Sequence, residues 1–422
     1  MISVIPAQWL ITTFNSPVAF NRGTDETWYF NPIRRYVLNA AHVQKISQHV
    51  EGTSDLASGA LYTPLRGDKP LAGKKILVER FRDRGIGDLL FLTGPFAFMQ
   101  HITGMGVSIY VYAFSDRGVV LNGNPDLAYG TTMLGPTHYD DFPRYDYQWM
   151  VGAVTELDQE KDQLNVYDAL YRQIGLNPDQ VAPRFKRPSI TLNPGEAEGF
   201  IQFASQQWEN HNLDIRKSGY YVVAPTTHSP LRCAPYAFWL NLIRELLGYR
   251  PVIVVGKIHE AIPDLDMPLG EFCSRLNEMG PGLINLLSTE RPTPLRFIMQ
   301  LIAKANCVFT LDSGPLYIAQ ALHTPAISLW GTHDPRVRIG YDPEYMDLAV
   351  WNKQYCQNCP CFCFGSFPAH KCPRGESQTQ CEVLRSLVPN DVLSMLEKVE
   401  SRVPYSLGTF NHSQLELSKA TP

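Results

Sequence analysis

Two stretches of the chain gather hydroxyls, glycine and a guanidinium in a way that could hold an anion. Leu311-Asp312-Ser313-Gly314-Pro315-Leu316-Tyr317-Ile318-Ala319 lies between an aliphatic strand and a helix. The free N–H groups of that helix's first turn would point into the strand-end crevice and favour negative charge there. Ser313 adds a hydroxyl donor, and Gly314 lets a phosphate approach the backbone. Ordinary helix capping explains Asp312 and Ser313 equally well. The second stretch is Ala224-Pro225-Thr226-Thr227-His228-Ser229-Pro230-Leu231-Arg232. Its hydroxyls and permanent forked charge suit a diphosphate, with a Ser-, Thr- and Pro-rich turn as the alternative. Two such loops in one half of the chain point to a nucleotide-diphosphate site.

A third loop, Arg80-Phe81-Arg82-Asp83-Arg84-Gly85-Ile86-Gly87-Asp88, follows a strand and opens a helix. Its glycines are too few for a dinucleotide fingerprint. Asp88 beside Arg80, Arg82 and Arg84 could take a proton from a substrate hydroxyl while the arginines attract an anionic substrate, or it could simply cap the helix. Cys356, Cys359, Cys361, Cys363, Cys372 and Cys381, with His370 nearby, include one C-x-x-C spacing compatible with structural zinc. The later spacings do not complete a paired arrangement, so a buried or redox-sensitive cluster is the better reading and no metal is expected. Asp264-Leu265-Asp266 could hold a divalent ion beside a diphosphate, but its Pro-rich loop reads as a solvated turn.

The elements that must position these residues alternate. Lys75 to Glu79 is a strand, Leu89 to His101 a helix, Val107 to Phe114 a strand and Asn165 to Ile174 a helix. After a Pro-rich linker at Arg187 to Gly195 come a strand at Tyr220 to Ala224, a helix at Tyr236 to Leu247, a strand at Pro251 to Val255 and a helix at Pro294 to Ala305. Cys307 to Leu311 and Ala326 to Leu329 are further strands flanking a helix at Leu316 to Leu322. Nearly continuous aliphatic strands alternating with helices predict two α/β lobes with parallel sheets and a cleft at their carboxyl ends. The first seventy or so residues are irregular, aromatic and β-rich. The expected division is 1–72, an extension; 73–190, a first lobe; 191–388, a second lobe including the Cys-rich segment 356–381; and 389–422, a helix and polar tail.

The 422 residues are 44% hydrophobic and 18% charged, which excludes a largely disordered chain or a coiled coil. A formal charge of −4 counts against non-specific duplex binding. The apolar run Leu89 to Met99 falls short of the ~20 residues that span a membrane, the N-terminus lacks a secretory pattern, and nine cysteines are too sparse for a disulfide scaffold. The chain therefore reads as cytoplasmic.

As a set, these motifs resemble the heptosyltransferase family, glycosyltransferase family nine. The resemblance runs from about Lys74 to Val399 and is most specific in Asp312-Ser313-Gly314-Pro315 through Ala321-Leu322 and Pro325, then Gly331-Thr332-His333-Asp334-Pro335. Thr226-Thr227 with Arg232 is similar to the family's phosphate loop, and Gly87-Asp88 to its Gly-Asp, whose Asp is the proposed base. The cysteine-rich stretch also resembles a recurring family feature. The resemblance implies two Rossmann-like lobes in the GT-B arrangement, the first binding acceptor and the second donor, with a final helix returning toward the first. It implies inverting, metal-independent transfer of a hexose or heptose from a nucleotide-diphosphate sugar, with no further cofactor. Asp88 would be the base; Thr226, Thr227, Arg232, Asp312, Ser313, Gly314, Pro315 and Tyr317 would bind the diphosphate; Gly256 and Glu260 would lie near the nucleoside; Arg80, Arg82, Arg84 and Gly87 would face the acceptor. That acceptor would be a saccharide or lipid-linked saccharide, at the inner face of a membrane. A modified nucleic-acid base, including DNA, or a protein is the alternative acceptor, and a non-catalytic nucleotide-sugar-binding homologue the alternative role. The family usually has His where this chain has Tyr317, and its loop before the Asp is shorter.

Overall fold

The computed structural model describes residues 9–13, 18–21, 27–30, 35–39, 70–80, 85–112, 116–128, 145–151, 164–193, 195–196, 219–227, 229–256, 265–287, 293–361, 372–375 and 380–402. In the extension, β1 (Trp9–Thr13) pairs antiparallel with β4 (Arg35–Asn39), and β2 (Val18–Asn21) with β3 (Thr27–Phe30). The first lobe is built on β5 (Lys75–Arg80), β6 (Ser108–Tyr112) and β7 (Tyr147–Val151), parallel and in the order β6-β5-β7. Its helices are α1 (Ile86–Phe91), α2 (Thr93–Thr103) and α3 (Val166–Gln173).

The second lobe runs β8 (Tyr221–Ala224), α4 (Tyr236–Leu247), β9 (Val252–Val254), α5 (Leu269–Asn277), β10 (Leu283–Asn285), α6 (Leu295–Lys304), β11 (Cys307–Leu311), α7 (Gly314–Ala321), β12 (Ala326–Leu329). Short helices α8 (Arg336–Ile339) and α9 (Pro343–Met346) lead to β13 (Ala349–Val350), and then come α10 (Glu382–Arg385) and α11 (Pro389–Arg402). All six strands are parallel, in the order β10-β9-β8-β11-β12-β13. Every residue of β8 and β11 is buried, as strands covered on both faces require. The order reverses between β8 and β11. That is the topological switch point of a doubly wound sheet, where the crossovers diverge and leave a crevice at the strand ends.

The structure departs from the sequence reading in several places, and β7, α5, β10 and β13 are not among the expected elements. The expected helix at Leu89 to His101 begins earlier, at Ile86, and is broken at Leu92 into α1 and α2. Pro95 falls in the first turn of α2, where its missing N–H costs no hydrogen bond. Asp88 consequently sits inside the first turn of α1, with Gly85 as the cap. Among the described residues the final helix α11, expected to return toward the first lobe, packs on the second. Val392, Leu396 and Val399 share a core with Tyr221, Leu246 and Phe309 of the second, and Glu400 accepts from the Tyr221 hydroxyl at 2.7 Å and pairs with Arg250 at 3.0 Å. Asp266 is exposed in a bend, as the solvated-turn reading expects, and has a structural task besides. It accepts from the N–H groups of Tyr236 at 2.6 Å and Ala237 at 2.9 Å and so caps α4 from a distant loop; Asp264 lies outside the described residues.

The two lobes close on one another. A single apolar cluster joins Ile76, Val78, Phe91 and Phe96 of the first to Val222, Val308, Leu316 and Ile318 of the second. The linker is held from both sides: Ser189 N–H donates to Thr93 Oγ1 at 2.8 Å, and Arg296 of α6 donates to the Thr191 carbonyl at 3.0 Å. Arg296 also forks onto Glu196 at 2.6 and 3.1 Å and reaches the carbonyls of Val119 and Asn122 at 3.4 Å. Lys186, 3% exposed, bridges Asp168 and the Tyr341 hydroxyl, both at 2.8 Å. Among the described residues no helix is long and apolar enough to cross a membrane.

Because one guanidinium ties together α6, the linker and the first lobe, Arg296→Ala should destabilise the protein by about 2–3 kcal/mol, and Arg296→Lys should recover little of it, since an ammonium cannot fork. Urea unfolding of the three proteins measures this.

Candidate active site

The ends of β8, β11 and β12 converge at the switch point. The carboxylate of Asp312, immediately after β11, is 5% exposed. Its Oδ1 accepts from the Tyr317 hydroxyl, and its Oδ2 stands 2.8 Å from His333 Nδ1, in the loop after β12. Arg232, from the loop after β8, lies with Nε 3.7 Å from Oδ2 and donates through Nη2 to the Asp312 carbonyl. Burial alone would raise the Asp312 pKa, but Arg232, His333 and Arg338 outweigh it and hold the group well below the carboxylate range. Asp312 is therefore ionised and only accepts hydrogen bonds, so His333 Nδ1 must carry the hydrogen. Burial lowers the His333 pKa to about 4 despite its carboxylate partner, so the ring is neutral at pH 7. Burial and the same carboxylate raise Tyr317 far above its ordinary value, keeping it a donor.

Asp312 thus enters the site as the residue that holds Arg232, His333 and Tyr317; a carboxylate would repel a diphosphate. The Ser313 hydroxyl makes no capping hydrogen bond to α7 and lies 3.2 Å from Thr310 Oγ1. In the first turn of α7 Pro315 has no N–H and the Leu316 N–H donates to the Ser313 carbonyl at 3.0 Å, so the Ser313-Gly314 backbone forms the head of the helix dipole at the crevice. Across the switch point Thr227 is buried and accepts the Ser229 N–H at 3.1 Å. Gly256, at the end of β9, packs on Thr226: a Cβ there would stand 3.0 Å from Thr226 Oγ1.

The first lobe brings α1 directly against α7. A Cβ on Gly87 would lie 2.4 Å from the Tyr317 ring, and one on Gly314 would lie 3.1 Å from Ile86 Cβ, so each glycine permits the contact. Asp88, next in sequence to Gly87, is partly buried in the helix that makes this contact. Its carboxylate folds back on the start of its helix, where a Cβ on Gly85 would be 2.4 Å from Oδ2. Arg82, Arg84 and Glu260 lie outside the described residues, as does the side chain of Arg80.

Two participants escaped the sequence reading. His333 was read only as part of a motif, and Arg338, buried in α8, carried no local signal beyond an Arg-x-Arg after Asp334-Pro335.

The cysteines support the β12 loop from behind. Cys359 Sγ donates to the Gly331 carbonyl at 3.1 Å, Cys361 N–H to the Thr332 carbonyl at 3.0 Å, and Cys381 Sγ would be 3.3 Å from a Cβ on Gly331. Burial pushes the Cys359 thiol up to about 11 and the Cys381 thiol to about 12, so both stay protonated at neutral pH. Among the described residues no three His, Cys, Asp or Glu side chains are grouped to hold a metal ion; Cys363 and His370 lie outside them.

Residues 196–362 match the family model of glycosyltransferase family 9 (heptosyltransferase). No curated protein matches the chain in sequence. Among solved structures the chain is similar to the ADP-heptose lipopolysaccharide heptosyltransferase II of E. coli, with TM-score 0.52 and 18% identity over 78% of this chain and 99% of that one. It is also similar to TibC, an iron-containing dodecameric glycosyltransferase of enterotoxigenic E. coli, with TM-score 0.54 and 17% identity over 79% and 80%. A TibC complex with ADP-D-β-D-heptose matches with TM-score 0.52 and 15% identity over 94% of this chain and 93% of that one. The fold is thus the parallel two-lobed α/β arrangement of these enzymes.

A buried neutral His333 makes the fold acid-sensitive. Between pH 6.5, its ordinary pKa, and about 4, its folded pKa, the unfolded chain binds a proton that the folded chain does not. Stability should fall across that window as pH drops, and His333→Gln, neutral throughout, should show a shallower fall. Thermal unfolding of both proteins from pH 7 to 4 measures the difference.

Proposed function

We propose, from the match of residues 196–362 to glycosyltransferase family 9 as premise, that the chain transfers a sugar from a nucleotide-diphosphate donor to an acceptor hydroxyl, inverting configuration and needing no metal. ADP-heptose is the first donor to try, because relatives of this fold take it. A saccharide acceptor such as lipopolysaccharide core follows from the same relatives. The observation that carries the reading is the meeting of α1, bearing Asp88, with the uncapped head of α7 at the switch point of the second sheet.

The diphosphate lies at the crevice, against the first-turn N–H groups at Ser313 and Gly314, with hydroxyls from Thr226 and Thr227 and the charge of Arg232 on its other side. Arg232 is pre-placed by Asp312, so little reorganisation is needed as charge develops on the leaving group. Asp88 takes the proton of the acceptor hydroxyl while its oxygen attacks the anomeric carbon opposite the diphosphate. A double displacement would need a second carboxylate as nucleophile. Asp312 is buried and engaged by Tyr317 and His333, and Asp334 is gripped by Arg336 at 2.5 to 3.1 Å, which favours a single inverting step. Fixed dipoles and a guanidinium supply the positive charge a cation would otherwise bring. Closure of the lobes keeps water from the donor.

ADP at a hundred times its dissociation constant should stabilise the protein by about 2.7 kcal/mol. The shift should be the same with and without magnesium and be lost in Arg232→Ala. Asp88→Asn should keep it while ADP release from ADP-heptose with lipopolysaccharide core falls about 100-fold or more. No shift with ADP, UDP, GDP or dTDP would reject the donor site.

A further inference from the structure

We infer that Tyr317 is a positioning residue that sets the register of the two lobes: its hydroxyl is held by the carboxylate that places Arg232, and its ring is the seat of the Gly87-Asp88 turn. Its catalytic consequence rests on the transferase reading above; the register itself does not.

Tyr317 belongs to α7 in the second lobe and is 4% exposed. On one side its hydroxyl donates to Asp312 Oδ1, and Asp312 also holds Arg232 and His333. On the other side its ring lies against the first lobe. A Cβ at Gly87 would be 2.4, 2.8 and 3.3 Å from three of its ring atoms, so the backbone of α1 rests on the ring with no room for a side chain between. One helical turn later, Phe91 meets the same ring edge-on, with centroids 4.6 Å apart and planes at 68°. Positions 87 and 91 share a face of α1, so the helix grips the ring at two points.

The geometry makes Tyr317 a link with one fixed end in each lobe. The donor end is defined by a hydrogen bond whose partners keep their protonation states near neutral pH. The acceptor end is defined by steric contact at the residue preceding Asp88. Moving the ring moves the carboxylate relative to the helix head that would hold the diphosphate. A phenylalanine would fill the same space without the tether, and an alanine at Gly87 would push α1 off its seat.

The test uses the full chain as Tyr317→Phe and Gly87→Ala. Hydrogen exchange, read on peptides covering 86–91 without substrate, should quicken in Tyr317→Phe while peptides from β8 and α4 stay unchanged. With ADP-heptose and lipopolysaccharide core, Tyr317→Phe should lower kcat about tenfold, the cost of one lost hydrogen bond, and leave donor KM nearly unchanged. Gly87→Ala should lower kcat about 100-fold, as displacement of a base by ~1 Å does. Both variants should retain the ADP thermal shift. Unchanged exchange in α1 of Tyr317→Phe, an unchanged kcat, or a loss confined to KM would overturn the inference. If the wild type transfers no sugar, the transferase reading fails, and the exchange experiment alone then decides the register. Should Gly87→Ala not fold, Tyr317→Phe decides it.

Discussion

Burying one carboxylate organises this molecule. Asp312 sits at the carboxyl end of a fully buried strand, where an uncompensated charge would cost several kcal/mol or more. Arg232 from the β8 loop, His333 from the β12 loop and Tyr317 from α7 compensate it together, and Arg338 adds charge from α8. Three strand ends are thereby fixed relative to one another by one group. The compensation places a guanidinium at the switch point and holds a phenol as donor, while burial keeps the imidazole neutral, so the electrostatics of the crevice are set before any ligand arrives.

A second constraint is the closeness of the lobes. Gly87 and Gly314 have no side chain where one would strike Tyr317 and Ile86. Gly94 does the same at the linker, where a Cβ would lie 2.2 Å from the Phe185 carbonyl. These absences let an apolar core run unbroken from one lobe to the other. The polar pins follow the same seam: Asn165 caps α3 through its oxygen and donates at 2.8 Å to the Arg336 carbonyl, so one side chain both starts a helix of the first lobe and holds a helix of the second. Arg296 and Lys186 fasten the linker and α3 in the same manner. The proposed transfer depends on this seam because Asp88 and the head of α7 come from opposite lobes.

The cysteine-rich segment serves the same site at one remove. Its thiols and backbone lie under Gly331 and Thr332, adjoining His333, and so buttress the loop that presents the imidazole to Asp312. The last helix braces the opposite side of the second sheet through Glu400, Arg250 and Tyr221.

In the second lobe the aliphatic runs and periodicity of the sequence place Tyr236–Leu247, Cys307–Leu311 and Ala326–Leu329 where they stand, but α5, β10 and β13 have no such reading. The sequence also located the loops after β8 and β11, because glycine, proline and hydroxyl residues at a strand end leave a local signature. Only the tertiary structure decided which groups meet. Arg232 reaches Asp312 across 80 residues of chain and His333 across 21, while Asp266 caps a helix 30 residues away. The role of Tyr317 required both its own loop and a glycine of the other lobe. Strand order and lobe docking create such pairings, and neither is written in any local pattern of residues. A side chain's type limits what it can do, but its partner is chosen by the fold.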